Sequence, residues 1–149
     1  LMIDCFSPKT TAREPEHIHP YQENRFEVIS GVLKFNINGN DRVAYAGDIV
    51  SIPKNVPHSF WNPGEYEAHY IQEFFPALRI DTLFETFFAL ARDGKLSKRG
   101  VPNIFQASLI MLAFKRELRL SKPNWAMQKI IFTLLAPVGK LLGYQAQYK

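Results

Sequence analysis

The chain has 149 residues, of which 46% are hydrophobic and 13% aromatic, and its formal net charge at pH 7 is +4. This length fits a single domain, and the hydrophobic content excludes an intrinsically disordered chain. The one cysteine, Cys5, excludes an intrachain disulfide framework, so the composition does not require an oxidising compartment. The sequence does not open with a signal-peptide pattern, and we expect a cytoplasmic protein.

The charge is divided unequally along the sequence. Residues 1–76 carry six Lys and Arg against ten Asp and Glu, whereas residues 77–149 carry twelve against four. A basic half can bind nucleic acid or anionic lipid. The basic residues are scattered, however, and we find no nucleic-acid-binding motif. We therefore expect no nucleic-acid partner, and we attribute the asymmetry to halves that face each other or their copies in an oligomer.

The first half of the sequence alternates apolar and polar residues with the period of a β-strand. Its runs are short, rich in β-branched and aromatic residues, and separated by Gly, Asn, Asp or Pro. The Asn-Gly pair in "INGND" is typical of a tight hairpin turn. Six or more strands predict an antiparallel sandwich or barrel over residues 1–76. The runs are "FEVIS", "VLKFNIN", "RVAYA", "DIVSIP", "HSFWN" and "YEAHYIQEFF".

After Pro76 the apolar residues recur at helical spacing, which predicts a helical part over residues 77–149. The first helix carries a capping-box pattern at Thr82 and Glu85 and ends at Gly94. A second helix is predicted to begin after Asn103. The residues that we expect it to bury are Ile104, Ala107, Met111 and Leu112.

A third predicted helix begins after Asn124 and runs toward Leu142. Polar residues and Pro137 interrupt its apolar sequence, so we expect no transmembrane segment. We expect this helix to pack on the barrel or across a homodimer. Peripheral contact with a lipid surface, as an amphipathic helix, is the alternative.

Histidines mark a candidate metal site in the first half. His17 and His19 lie at positions i and i+2 of a strand, so both imidazoles point to the same face. In "GDIVSIPKNVPHSFWN", residues 47–62, a turn leads into a strand, and a tight loop then delivers His58 onto the next strand. An isolated His-x-His pair is weak evidence for a metal, but the second stretch strengthens the prediction.

These two stretches resemble the two motifs of the cupin superfamily. The second motif, G-x5-P-x-G-x2-H-x3-N, matches at Gly47, Pro53, His58 and Asn62, with Asn55 in place of its middle glycine. Asparagine tolerates the left-handed backbone conformation better than other non-glycine residues, so this change is mild.

The first motif runs G-x5-H-x-H and, after three or four residues, E-x6-G. It matches at His17, His19 and Gly31, and Thr11 occupies its leading glycine position. The resemblance covers about residues 5–75. The stretch "HPYQENRFEVISG" is also similar to a bacterial cupin subgroup with a helical C-terminal extension.

The resemblance implies a mainly β fold, a double-stranded β-helix (jelly-roll barrel) followed by C-terminal α-helices. It also implies a divalent metal ion (Zn, Fe, Ni or Mn) at the barrel mouth, held by three histidines and a glutamate. The histidines are His17, His19 and His58, a set that is typical of catalytic metal coordination when positions are left open. Counting six residues back from Gly31 places Asn24 where the glutamate is expected.

The phase of the strand assigns Asn24, and not the neighbouring Glu23, to the ligand direction. Asn24 shares the apolar face with Phe26 and Val28, so Glu23 would reach a metal only through a β-bulge. Asn24 can serve as a weak neutral fourth ligand or as a hydrogen-bonding group to bound water. A metal-loaded site and a metal-free pocket lined by the same side chains both remain open.

Other candidate residues have structural alternatives. His69 could face the pocket, but a single histidine on a strand is more often a hydrogen-bonded structural residue. Arg25 and Glu73 are expected to pair or to be solvated rather than to contact a substrate. Phe60 and Trp61 alternate, so we expect one to line the pocket and the other to pack under the helices.

The predicted function is therefore a metal-capable barrel pocket for a small organic molecule. The resemblance implies a metal-dependent oxygenase, isomerase or cyclase, whose catalytic residues the sequence does not name. The alternative is a non-catalytic protein that binds or senses a small ligand without metal, which Asn24 favours because a lost carboxylate weakens the site. We expect a homodimer in either case. A third hypothesis is a peripheral protein that binds lipid or a partner through its basic half.

Overall fold

Alternating apolar residues in the first half of the chain form β-strands, of which the described residues contain eight, and a ninth described strand lies among the helices. The computed structural model describes residues 1–10 and 13–149. The strands are β1 (Met2–Ser7), β2 (His17–Ile18), β3 (Glu23–Ser30), β4 (Val32–Ile37), β5 (Asn40–Tyr45), β6 (Ile49–Ile52), β7 (His58–Trp61), β8 (Ala68–Phe75) and β9 (Arg119–Leu120). The helices are α1 (Ile80–Arg92), α2 (Ile104–Ala113) and α3 (Trp125–Leu141).

The strands form two antiparallel sheets that bury one apolar core. The four-stranded sheet has the order β1-β8-β3-β6, and the five-stranded sheet has the order β5-β4-β7-β2-β9. Phe26 of β3 makes edge-to-face ring contacts with Phe35 of β4 and Phe60 of β7, at centroid distances of 5.0 and 4.8 Å. Both sheets therefore contribute interior aromatic residues, and the predicted double-stranded β-helix followed by helices is confirmed.

The structure confirms the predicted interior face of β3 and the predicted hairpin turn. Asn24, Phe26 and Val28 are buried on β3, whereas Glu23 is exposed. Asn38 and Gly39 have positive φ angles of 50° and 82°, which is what the Asn-Gly turn between β4 and β5 requires. The irregularity in β3 falls between Val28 and Ser30, not beside Glu23.

The helix ends are predicted correctly with one exception. The Asn103 side chain accepts hydrogen bonds from the first turn of α2, the Asn124 side chain accepts one in α3, and Gly94 follows α1 with a φ of +65°. The predicted capping box in α1 is wrong. The helix begins at Ile80, which is buried in the core, so Thr82 lies inside the helix rather than at its N-cap. Arg79 occupies the N-cap position, and its side chain makes no capping hydrogen bond.

Two predictions about the second half need correction. Ile104 is not buried but 50% exposed, because it is the first residue of α2 and lies at the rim of a cavity described below. The sequence also does not predict β9, which pairs with the histidine strand β2. Because β9 belongs to the barrel sheet, the division of the chain at residue 76 stays a prediction. In the described part of the chain, none of the helices has the length and apolarity needed to cross a membrane.

Candidate metal centre and the cavity above it

Three histidines from two neighbouring strands converge inside the barrel. His17 of β2 lies directly opposite His58 of β7, and His19 follows just beyond the end of β2. One ring nitrogen from each histidine lies within 4.8 Å of one from each of the others. The ring centroids are 4.5 Å apart for His17 and His58, 5.2 Å for His17 and His19, and 5.3 Å for His19 and His58. The structure thus brings together all three predicted histidines.

Each imidazole is held by a backbone carbonyl at its Nδ1 atom. The Nδ1 of His17 lies 3.1 Å from the carbonyl oxygen of Pro15, and the Nδ1 of His58 lies 2.8 Å from that of Val56. The Nδ1 of His19 lies 2.6 Å from the carbonyl oxygen of Glu117. A carbonyl can only accept, so each Nδ1 carries the proton and each Nε2 keeps a free lone pair. This is the arrangement that orients metal-binding histidines in proteins.

Burial keeps the three imidazoles neutral. The side chains of His17, His19 and His58 are buried, and loss of solvation lowers the pKa of each below the usual value. The pKa of His58 falls to about 3. The pKa of His19 falls well below 6.5, with repulsion from a second and a third imidazolium adding to the effect of burial. Neutral imidazoles are the form that binds a metal ion, so the cluster needs no deprotonation at pH 7.

The donor set fits a divalent transition metal. The Nε2 atom of His58 is buried and has no hydrogen-bond partner among the described residues. A buried acceptor without a partner is costly, and a metal ion bound by the three histidines would satisfy it. Three neutral nitrogen ligands suit Zn, Fe, Ni and Cu better than Mg or Ca.

Asn24, which stands where the resemblance implies a glutamate, is hydrogen-bonded to a residue of a neighbouring strand. Asn24 is 1% exposed, and its Oδ1 accepts a hydrogen bond of 3.2 Å from the Nε2 of Gln72 on β8. The Nδ2 of Asn24 is buried with no partner among the described residues. Asn24 therefore lies on the predicted interior face but presents a free donor rather than a free oxygen. Its membership of a ligand set stays a prediction, as does that of the exposed Glu23.

A cavity of about 660 Å³ lies between the histidines and the helices. His17, His19, Phe60 and Gln72 line it on the barrel side. On the opposite side α1, α2 and one residue of α3 form an apolar wall, which we call the helical roof. The roof comprises Ile80, Leu83, Phe84, Phe87, Phe88, Ala91, Ile104, Ala107, Ile110, Met111 and Phe132.

Glu14 is a polar residue of this cavity that the sequence reasoning missed. It precedes β2, in a segment without strand or helix periodicity, so no pattern marks it. Its Oε1 atom is buried without a hydrogen-bond partner among the described residues and lies 3.8 Å from the Nδ1 of His17. Burial raises the pKa of Glu14 to about 8, although a backbone hydrogen bond at Phe60 opposes the shift. The carboxyl group of Glu14 is therefore more basic than a fully solvated one.

The remaining candidates lie outside the histidine cluster or have structural roles. The Nε2 of His69 lies 2.6 Å from an Asp4 carboxylate oxygen on the outer face of β8. Arg25 pairs with Glu73 at 3.6 Å, as predicted. Phe60 lines the cavity, but Trp61 lies under the Arg13 guanidinium at 3.9 Å and not under the helices. Thr11, the leading position of the first motif, lies outside the described residues.

The sequence and the structure of this chain are similar to those of known proteins. Residues 5–72 match the cupin domain family. The chain is 28% identical, over 144 aligned residues, to the probable oxidoreductase virH of Hypocrea virens. That alignment covers 90% of this chain and 65% of the relative, so the chain spans about two thirds of the curated relative's length.

Two bacterial proteins of known structure have a similar barrel. A Klebsiella pneumoniae protein with a double-stranded β-helix domain is 22% identical, with a TM-score of 0.47, and the match covers 52% of this chain and 67% of that one. An RmlC-like cupin from Shewanella frigidimarina is also 22% identical with a TM-score of 0.47, over 54% of this chain and 69% of that one. The family match and the antiparallel two-sheet barrel agree: residues 5–72 of this chain form a cupin domain.

Proposed function

We propose that this protein binds a divalent transition-metal ion on His17, His19 and His58 and acts on a small organic molecule as a metal-dependent oxidoreductase. One observation carries the proposal. All three Nδ1 atoms are committed to backbone carbonyls, which leaves three lone pairs on buried, neutral rings that converge. The similarity to a probable oxidoreductase supports the reaction class.

A bound divalent ion would act as a Lewis acid on a substrate oxygen, and a redox-active ion such as iron would also support oxidation by O₂. The residues of this chain would supply the surroundings of that chemistry. The apolar helical roof makes the space above the histidines less polar than water, which strengthens electrostatic interactions there. Glu14 can donate a proton to a molecule in the cavity, or take one up, at its Oε1 atom. Gln72 lines the cavity and offers an amide group for orientation, and Asn24 holds that amide by accepting a hydrogen bond from it.

The test is the metal content of protein purified without a chelator or an affinity metal, measured by mass spectrometry. The wild type should hold close to one ion per chain, and His58→Ala should lose it. His69→Ala is the matched control, because His69 is the remaining histidine of the sequence and contacts Asp4 outside the cluster. If the wild type neither holds metal nor takes up Zn, Fe, Ni or Mn in calorimetry, the proposal fails.

A metal-free binding protein is the second candidate, and the Asn24–Gln72 hydrogen bond favours it. This bond takes up the one oxygen that Asn24 could offer in place of the expected carboxylate. The site then lacks a negative charge that would hold a divalent ion. Metal uptake by Asn24→Glu but not by the wild type would support this second function. In that case the cavity would bind a small molecule without metal chemistry.

We also propose a homodimer, with α3 as the surface between the two copies. This helix exposes apolar side chains at spacings of three and four residues, which places them on one face. A continuous apolar face of this kind marks an interaction surface, and a two-fold axis would pack it against itself. The exposed residues are Met127, Ile130, Ile131, Leu134, Val138 and Leu141.

A further inference from the structure

We propose that the cavity takes a predominantly apolar small molecule, which presents one polar end to the histidines and its apolar body to the helical roof. This inference rests on the proposed function and specifies its substrate class. It excludes sugars, sugar phosphates and small dicarboxylates as substrates. The argument comes from the distribution of polar groups around the cavity, from its volume and from the location of its opening.

The polar groups of the cavity are concentrated on the barrel side. Among the described lining residues, only Glu14, His17, His19, Gln72 and Arg99 have polar side chains. The first four belong to the barrel part of the chain. The rest of the lining is aliphatic or aromatic, apart from a glycine. A ligand with polar groups at both ends would lose the hydration of one end without gaining hydrogen bonds from the helical roof.

The volume of the cavity fits an organic molecule rather than an anion. At about 660 Å³ it falls within the roughly 300–1,000 Å³ of small-molecule sites. A two-carbon dicarboxylate would leave most of this space unfilled. Mostly apolar walls with a few convergent polar groups are the usual construction of a site that orients a hydrophobic ligand.

The cavity opens on the side of the helices, away from the buried histidines. Three apolar residues that line it are also solvent-exposed: Phe88 is 66% exposed, Ile104 50% and Val101 36%. The exposed Arg99 lies beside Val101 in the loop between α1 and α2. A molecule that enters through an apolar rim meets the histidines last, so its polar end leads and its apolar body fills the space under α1 and α2.

The experiment uses isothermal titration calorimetry of the metal-loaded full chain with three probes. The probes are 2-naphthol, which has one hydroxyl on an apolar body, and the polar compounds oxalate and glucose 6-phosphate. We expect 2-naphthol to bind one per chain with a negative heat-capacity change, the marker of apolar burial, and the polar probes not to bind in the cavity. Saturable binding of a polar probe with no binding of 2-naphthol would overturn the proposal.

Two variants locate the binding. Ala107→Trp adds a large side chain to the roof and should weaken 2-naphthol binding at least about tenfold, because the space is filled. Ala107→Leu should weaken it less, and it replaces the tryptophan variant if that one does not fold. Ala126→Trp is the control, because it makes the same insertion at an exposed alanine of α3 that does not line the cavity. Equal binding to all variants would place the probe elsewhere and refute the assignment.

The same samples separate this inference from the proposed function. Metal content is measured beside each titration, and Ala107 does not belong to the histidine cluster. Bound metal without 2-naphthol binding would refute the apolar substrate class and leave the metal site intact. Binding of 2-naphthol to a wild type that holds no metal would refute the metal-dependent function and leave the ligand class in place.

Discussion

The Nδ1 atom of His19 lies 2.6 Å from the backbone carbonyl oxygen of Glu117, 98 positions further along the chain. His19 belongs to the barrel, whereas Glu117 lies between α2 and α3. The helical part therefore holds one of the three imidazoles of the candidate metal centre. Because a metal-binding histidine depends on the group that holds its second nitrogen, the helical part affects the centre itself.

The side chain of Gln128 is expected to stabilise this link. Its Nε2 donates hydrogen bonds to the carbonyl oxygens of Leu120 in β9 and of Pro123. Leu120 lies opposite His17 in the sheet. Gln128→Ala should weaken metal binding about tenfold, as loss of a group that supports a ligand does. It should also lower the free energy of unfolding by about 1–3 kcal/mol, because two hydrogen bonds to backbone carbonyls, each contributing about 0.5–1.5 kcal/mol, are lost.

Competition with a chromogenic chelator measures the affinity, and urea unfolding measures the stability. Gln147→Ala removes an exposed glutamine of the C-terminal segment and should change neither quantity. A Gln128→Ala protein with wild-type metal affinity would show that β9 does not position the histidines.

Glu14 is predicted to be dispensable for metal binding. Its Oε1 approaches the Nδ1 of His17, the nitrogen that donates to Pro15, and Glu14 does not belong to the cluster of three potential ligands. Glu14→Gln should therefore retain about one metal ion per chain, whereas His17→Ala should lose it. Mass spectrometry of the two variants side by side decides this. Metal loss in Glu14→Gln would make Glu14 a ligand.

The metal-free protein should lose stability as the pH falls from about 6.5 to 5. The pKa values of His17, His19 and His58 lie below 6.5 in the folded state, so the unfolded chain binds more protons in this range. The free energy of unfolding therefore rises with pH. Glu14 acts in the opposite direction, because its folded pKa is about 8 and the folded state binds its proton first. Three histidines make the free energy of unfolding rise with pH and one carboxyl group opposes them, so the net slope is positive.

Denaturant unfolding in the presence of a chelator, at several pH values, measures this slope. His58→Gln should flatten it, because a group that titrates between the folded and unfolded pKa values is removed. Glu14→Gln should steepen it. His69→Gln is the control, because it removes the histidine that contacts Asp4 outside the cluster. A stability that is constant from pH 6.5 to 5 in the chelated wild type contradicts the prediction.

Gly31 should be far less tolerant of substitution than Gly39. Both have a φ of +82°, so alanine is strained at either position. At Gly31 a Cβ atom would also lie 2.8 Å from the backbone Cα of Ala68, whereas at Gly39 it would meet nothing within 4 Å. We expect Gly39→Ala to cost about 1–2 kcal/mol and Gly31→Ala about 2–5 kcal/mol, because overpacking adds to the strain. Equal losses in urea unfolding would show that strain alone sets both costs.

The apolar face of α3 should mediate self-association. Leu134 is 71% exposed in the single chain, and a second copy would cover it. Leu134→Lys should convert a dimer into a monomer in light scattering after size exclusion, because a buried, unpaired charge is costly. Thr133→Lys, at the neighbouring exposed position, is the control. A monomeric wild type that sediments with vesicles of anionic lipid in low salt would contradict dimerisation and assign the face to lipid.

The sequence by itself determined the features that depend on neighbouring residues. Alternation along β3 places Asn24 on the interior face, and the two-residue spacing places His17 and His19 on one face. Asn103 and Asn124 cap their helices because an asparagine side chain reaches the backbone of the next turn. Such patterns are local, since they follow from backbone geometry and the side chains a few positions away. The second motif also indicated His58, through its spacing from Gly47 and Pro53.

Only the tertiary structure decided what surrounds the histidines. The contact between His19 and the carbonyl of Glu117 cannot be predicted from the sequence, because every residue has a backbone carbonyl and only folding brings this one to His19. Strand β9 has only two residues, which is too short to show the alternation of apolar and polar residues that predicts a strand. It forms because the chain between α2 and α3 passes beside β2. Glu14 lies in a segment without a pattern, and the cavity exists only where the helical roof meets the barrel. Contacts between residues far apart in the chain determine these features, and local propensities do not predict such contacts.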